Sequence, residues 1–215
     1  MDTPTHEADY IILFSSPPVR VSKYTNEEDL DDLLLHLNMQ SRHLSSGTEQ
    51  TYDKFVFKDP KLSKLKAFCD EALSDYTEKI LKSKEAEMQI TQSWVNVGRK
   101  GQHHHKHLHY NSVLSGVFYL QAAPDNPPLV FENDRVNFLI RPSGMEDDDN
   151  PSIFLADNYA FPPERGNLII FPSTFIHAVP TNTSGIDRVS LSFNAFPKRP
   201  IGKVEYSTYL EDQND

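Results

Sequence analysis

At Met88 the hydrophobic pattern of this 215-residue chain changes period. Before it, apolar residues recur every third or fourth position; after it, they alternate. The first spacing gathers side chains on one face of a helix and the second on one face of a strand. The alternating part predicts strands over Gln89–Val97, His105–His109, Val113–Gln121, Pro128–Glu132, Asn137–Arg141, Asn167–Phe171, Ile176–Pro180, Asp187–Ala195 and Lys203–Tyr209. Turn-forming clusters such as Asp125-Asn126-Pro127-Pro128 and Asn182-Thr183-Ser184-Gly185 separate them. Many short strands punctuated in this way fold as a sandwich, barrel or jelly roll. The expectation is a mainly β protein with bracing α-helices. It is one domain over residues 1–215, with a mixed segment at 1–87 bracing a β core at 88–215.

The segment before Met88 supplies the helices. Tyr10–Phe14 reads as a short strand stopped by Ser15-Ser16-Pro17-Pro18. Thr25 and Glu28 have capping-box spacing, and Leu30, Leu33, Leu34 and Leu37 follow with helical spacing, which predicts a helix over Glu27–Asn38. Gln40–Gln50 reads as a polar loop. Asp59-Pro60 opens a second helix whose stripe is Leu62, Leu65, Phe68, Ala72, Tyr76 and Ile80, through about Leu81. Cys69 borders that stripe and reads as a small packed residue.

Charge narrows the function classes. With 31 acidic and 21 basic residues the formal net charge is −10, which argues against a nucleic-acid groove. A single cysteine allows neither an internal disulfide nor a cysteine zinc cage and fits a reducing compartment. The polar, acidic start does not read as a signal peptide, and no apolar run reaches the ~20 residues that span a bilayer. A cytoplasmic protein without a membrane partner is expected. Glu146-Asp147-Asp148-Asp149-Asn150 reads as a solvated loop.

Five histidines fall within seven residues, His103-His104-His105-Lys106-His107-Leu108-His109, and His177 lies downstream. Neutral imidazole is the commonest metal ligand among side chains. On a regular strand His107 and His109 share a face, as do His103 and His105, while His104 points the other way. A third ligand would come from another strand, and His177 sits at the start of one. Taken alone, the run also fits a solvated polar stretch, and His177 a hydrogen-bonded core residue. Three imidazoles with open positions suit Fe(II) or catalytic zinc.

Ten residues or so beyond His177, Arg188, Ser190, Ser192 and Asn194 alternate with Val189, Leu191 and Phe193. One face packs; the other presents donors to a cavity. An arginine buried there needs an anion, and its fork suits a carboxylate held by two parallel N–H bonds. If Arg188 is instead on a surface strand, water serves it.

These residues, in this order, resemble the Fe(II)/2-oxoglutarate-dependent dioxygenases, and among them a family of small bacterial and phage oxygenases related to the prolyl hydroxylases. The resemblance rests on Trp94-Val95-Asn96-Val97, Gly101, His107-Leu108-His109, Asn111-Ser112 and Leu114-Ser115-Gly116-Val117-Phe118-Tyr119-Leu120. Further matches are Leu129-Val130-Phe131, Gly166 to Ser173, His177, Arg188-Val189-Ser190 and Ser192-Phe193-Asn194, with Leu13 to Pro17 at the start. It implies a double-stranded β-helix, a jelly-roll and cupin-like barrel. It implies Fe(II) held by His107, His109 and His177, with His109 standing where the wider superfamily has Asp or Glu. It implies 2-oxoglutarate anchored by Arg188, helped by Ser190, Tyr119 and Asn96. It further implies that dioxygen oxidises a C–H bond of a peptidyl residue or a small molecule, hydroxylation by default, while 2-oxoglutarate becomes succinate. A cupin-like metalloenzyme without 2-oxoglutarate, or a non-catalytic binding module on the same barrel, are the alternatives.

Overall fold

The computed structural model describes residues 8–11, 18–83, 86–132 and 158–198. Strand β1 spans Ala8–Ile11, β2 Val19–Lys23, β3 Arg42–Ser45, β4 Thr48–Thr51, β5 Met88–Gly98 and β6 His104–His107. Strand β7 spans Leu114–Gln121, β8 Leu129–Glu132, β9 Asn158–Phe161, β10 Asn167–Pro172, β11 His177–Val179 and β12 Arg188–Pro197. They form an eight-stranded sheet, in the order β1-β2-β10-β7-β12-β5-β4-β3, and a four-stranded sheet, β6-β11-β8-β9. The strands pair antiparallel. Two such sheets facing one another, with helices outside the larger, make the jelly roll expected of the alternation.

Helix α1 covers Glu27–Asn38, as its leucine spacing requires. Its cap is Asn26, which accepts from the Asp29 N–H at 3.2 Å, and not Thr25. Either residue is a good cap; the one chosen leaves Leu30, Leu33 and Leu37 facing inward and buried. The second helical segment begins with one 3₁₀ turn, Pro60–Leu62, capped by Asp59, and continues as α2, Ser63–Lys79. Cys69 is fully buried there, and desolvation raises its thiol well above the usual range, as befits a packed residue.

The larger sheet has two apolar sides. Val95, Val97, Phe118, Leu168, Leu191 and Phe193 pack with the α1 and α2 stripes. Val117, Ile169 and Phe171 face the smaller sheet and meet Leu129, Phe131 and Phe161. Strand β12 therefore gives Val189, Leu191 and Phe193 to the helices and turns Arg188, Ser190 and Ser192 into the barrel, where they line a cavity.

Gly116 on β7 pairs with Phe193 on β12, and a Cβ there would stand 2.1 Å from the Phe193 ring. Gly116→Ala is expected to cost about 1–3 kcal/mol, because the ring must leave its place in a close-packed layer. A lower urea midpoint with unchanged slope is the expected readout; an unchanged midpoint would show that Phe193 moves without cost.

Several elements depart from the sequence expectation. Gln40–Gln50 is not a loop but most of the β3–β4 hairpin, turning at Ser46-Gly47, with β4 paired to β5. Its strands are polar, so alternation gave no sign of them; the pairing partner holds them. Strand β9 was likewise not expected. Strand Ala8–Ile11 starts two residues before the expected Tyr10–Phe14, whose later residues lie outside the described ones. The expected strands at Asn137–Arg141 and Lys203–Tyr209, and the acidic run 146–150, also lie outside them. Finally, the histidine strand is His104–His107, so His109 follows it and is not part of it.

Candidate active site

The smaller sheet brings the histidines together. His177 on β11 pairs directly with His107 on β6, and their ring centroids are 4.2 Å apart. His109 lies just past β6, where its backbone N–H donates to the Ser173 carbonyl at 2.9 Å. Its ring lies parallel to that of His177 (3° between planes), and the two Nε2 atoms are 3.3 Å apart. One ligand atom from each of His107, His109 and His177 falls within a span of 4.8 Å.

Hydrogen bonds set the tautomers. His107 Nδ1 contacts the His105 carbonyl and His177 Nδ1 the Phe175 carbonyl, each at 2.8 Å. A carbonyl only accepts, so both Nδ1 atoms carry the proton and both Nε2 atoms keep a lone pair. Burial, and then the neighbouring His107, holds the His109 imidazole down to about 4. Burial also lowers His107, and lowers His177 well below the ordinary value. Neutral rings with converging lone pairs are what a divalent ion requires. Two nitrogens that share one ion at ~2.1 Å stand roughly 3.0–3.4 Å apart, the separation of His109 and His177. No Asp or Glu among the described residues lines the cavity.

The cavity is shared by the three histidines and the donor-rich face of β12. Arg188 lies in its wall, 6% exposed. Its Nη2 donates to the Tyr119 hydroxyl at 3.0 Å and its Nη1 to Ser190 Oγ at 3.4 Å. Its Nε has no hydrogen-bond partner, and no carboxylate among the described residues pairs with it. Tyr119 is fully buried behind the guanidinium, which sits 4.8 Å from the phenol ring centroid. Asn96, opposite Ser190, lines the cavity, but its amide is engaged: Nδ2 donates to Ser192 Oγ at 2.9 Å and Oδ1 accepts from Trp94 Nε1 at 3.2 Å.

The structure thus gathers Asn96, His107, His109, His177, Arg188 and Ser190 around one cavity, with Tyr119 behind the wall. It adds two that were given no role. Trp94 lines the cavity with its ring centroid 5.8 Å from that of His109. Its inward parity with Asn96 was the available sign. His104 also lines the cavity and stacks on His107 at 4.4 Å with 16° between planes, against the expected parity. From His177 to Val179, β11 advances two residues while β6 advances three, from His107 to His104. That bulge turns His104 inward and leaves Lys106 outside, paired with Glu132.

Residues 92–194 match the model of a family described as "Putative 2OG-Fe(II) oxygenase", 2OG being 2-oxoglutarate. The match runs from β5 into β12 and includes every cavity residue just described. This part of the chain belongs to the 2OG-Fe(II) oxygenases. Several solved structures share its barrel. HygX from Streptomyces hygroscopicus, solved with nickel and 2-oxoglutarate bound, is 13% identical with a TM-score of 0.60, covering 86% of this chain and 84% of its own. A Pseudomonas putida prolyl-4-hydroxylase is 15% identical with a TM-score of 0.53, over 91% and 94%. The carbocyclase SnoK from nogalamycin biosynthesis is 13% identical with a TM-score of 0.59, over 85% and 80%. At such identities the likeness is one of fold. No curated protein matches the chain. No helix among the described residues is long and apolar enough to cross a membrane.

Proposed function

We propose that the chain hydroxylates a C–H bond, with His107, His109 and His177 holding Fe(II) and Arg188 holding the distal carboxylate of 2-oxoglutarate. The observation that carries this reading is the Arg188 guanidinium: buried, with one N–H unpartnered and no carboxylate among the described residues beside it. A buried charge without a counter-ion is costly, and a site that keeps one is built for an anion that arrives. Together, Fe(II) and 2-oxoglutarate supply dioxygen activation: the oxoacid loses carbon dioxide to become succinate, and one oxygen atom enters the substrate.

The protein's own contribution is placement. Carbonyls of His105 and Phe175 orient two of the imidazoles, so the metal face is fixed before an ion arrives. Ser190 and Tyr119 hold the guanidinium in the cavity wall, where it would take the distal carboxylate of 2-oxoglutarate. Phe131 and Phe171 pack around His177 and keep water from that side. The substrate is a peptidyl residue or a small molecule. Prolyl hydroxylases share the barrel, and so does a carbocyclase, so hydroxylation is the part of the reading that a product assay must decide. The all-imidazole donor set favours a second reading, a cupin-like metalloenzyme without 2-oxoglutarate, for which Arg188 would have no use.

Anaerobic loading with Fe(II) and 2-oxoglutarate, followed by ¹⁸O₂ and panels of peptides and metabolites, tests the proposal. Succinate release coupled to ¹⁸O in a product is the expected result. Labelled succinate coupled to a substrate-derived product that carries no ¹⁸O would replace hydroxylation by ring closure or epimerisation. Absence of succinate from protein that holds iron would favour the second reading.

A further inference from the structure

We infer that His104 is a co-substrate contact: its ring N–H donates to a carboxylate of the oxoacid lying between the histidine cluster and Arg188. This rests on the reading of the cavity as a 2-oxoglutarate site. The bulge in β6 is what puts His104 there, since a regular strand would have turned it away. Bulges beside active sites re-aim side chains, and this one exchanges a regular ladder for an inward imidazole.

The ring meets two others, His107 face to face and His105 edge-on at 5.7 Å. It stacks on His107, yet neither of its nitrogens has a hydrogen-bond partner among the described residues, whereas His107 and His177 each bond a backbone carbonyl. His104 is not part of the cluster whose ligand atoms converge, so it is not a fourth ligand to the same ion. Arg188, whose charge is felt at His104, and Ser190 line the same cavity. A ligand that reaches from the three-histidine face to Arg188 passes this imidazole. A neutral imidazole always offers one N–H, and a carboxylate is an acceptor-only ligand, so the two are complementary. Charge-assisted bonds of this kind are among the stronger ones.

Calorimetric titration of 2-oxoglutarate into Mn(II)-loaded protein tests this without turnover. His104→Phe keeps the stack and loses the donor; His104→Gln keeps a donor and loses the stack. The expected result is about tenfold weaker 2-oxoglutarate binding in H104F, substantial recovery in H104Q, and unchanged Mn(II) affinity in H104F. Wild-type affinity in H104F would overturn the contact. A parallel loss of Mn(II) and 2-oxoglutarate affinity would overturn it too, showing that His104 acts only by bracing His107. Failure of the Mn(II)-loaded wild type to bind 2-oxoglutarate at all would bring down the functional reading and this contact with it.

Discussion

Arg188→Met is expected to weaken 2-oxoglutarate by about 100-fold or more while leaving metal binding intact. Removing one partner of a buried, hydrogen-bonded charge pair typically costs 2–5 kcal/mol, or roughly 30- to 5000-fold. The guanidinium fits that class because it is 6% exposed and already placed by Tyr119 and Ser190. The metal should be indifferent, since no atom of Arg188 belongs to the histidine cluster. Stability should move in the other direction. Without ligand, Arg188 is a buried cation with an unpartnered Nε, and an apolar side chain of similar length removes that cost. The Met variant should therefore melt at the same temperature as the unliganded wild type or above it, and lose the stabilisation that 2-oxoglutarate confers. Titrating 2-oxoglutarate into metal-loaded protein, with thermal melts at each concentration, measures both. Wild-type affinity in the variant would remove Arg188 from the site and leave the cupin-like reading as the better one.

How well each residue could be placed from sequence depended on the regularity of its element. Arg188, Ser190 and Ser192 were legible because β12 keeps its alternation, with Val189, Leu191 and Phe193 packed on the helices. His107 and His177 sit at the end of the β6–β11 pairing before its register shift, and the structure pairs them directly. His104 was not legible, because one extra residue in β6 reverses parity, and a bulge of that kind leaves no compositional mark. The β3–β4 hairpin was hidden for a different reason. Its residues are polar, and they are ordered by pairing with β5. The turn is also fixed from outside: Gly47 takes φ +88°, and a Cβ there would stand 2.3 Å from the His103 carbonyl oxygen. That contact belongs to tertiary structure, which is where local reading ends.

The loss of metal from His177→Ala is the second large effect expected. His177 is the most buried of the three imidazoles, at 4% exposure, and its ring is fixed by the Phe175 carbonyl and by Phe171. Removing even an outer hydrogen bond from a metal site costs 10- to 100-fold in affinity, so removing a ligand outright should cost at least ~100-fold. Because Ala also leaves a void beside Phe131 and Phe171, His177→Gln is the companion variant; it fills the space but lacks the imidazole lone pair. Both should lose the ion on dialysis after anaerobic loading, read as metal content against protein, with the near-ultraviolet circular dichroism of H177Q unchanged. His109 calls for a different substitution, because in the proposed site it takes the place of the carboxylate of the two-histidine, one-carboxylate triad. His109→Asp should keep an ion, lower the charge of the site by one, and move the preference from zinc towards iron and manganese, which carboxylate oxygen suits better. His109→Ala should lose affinity as H177Q does. If H109A instead holds the ion as tightly as the wild type, the 3.3 Å approach of the two Nε2 atoms is a packing contact, and only two imidazoles hold the metal.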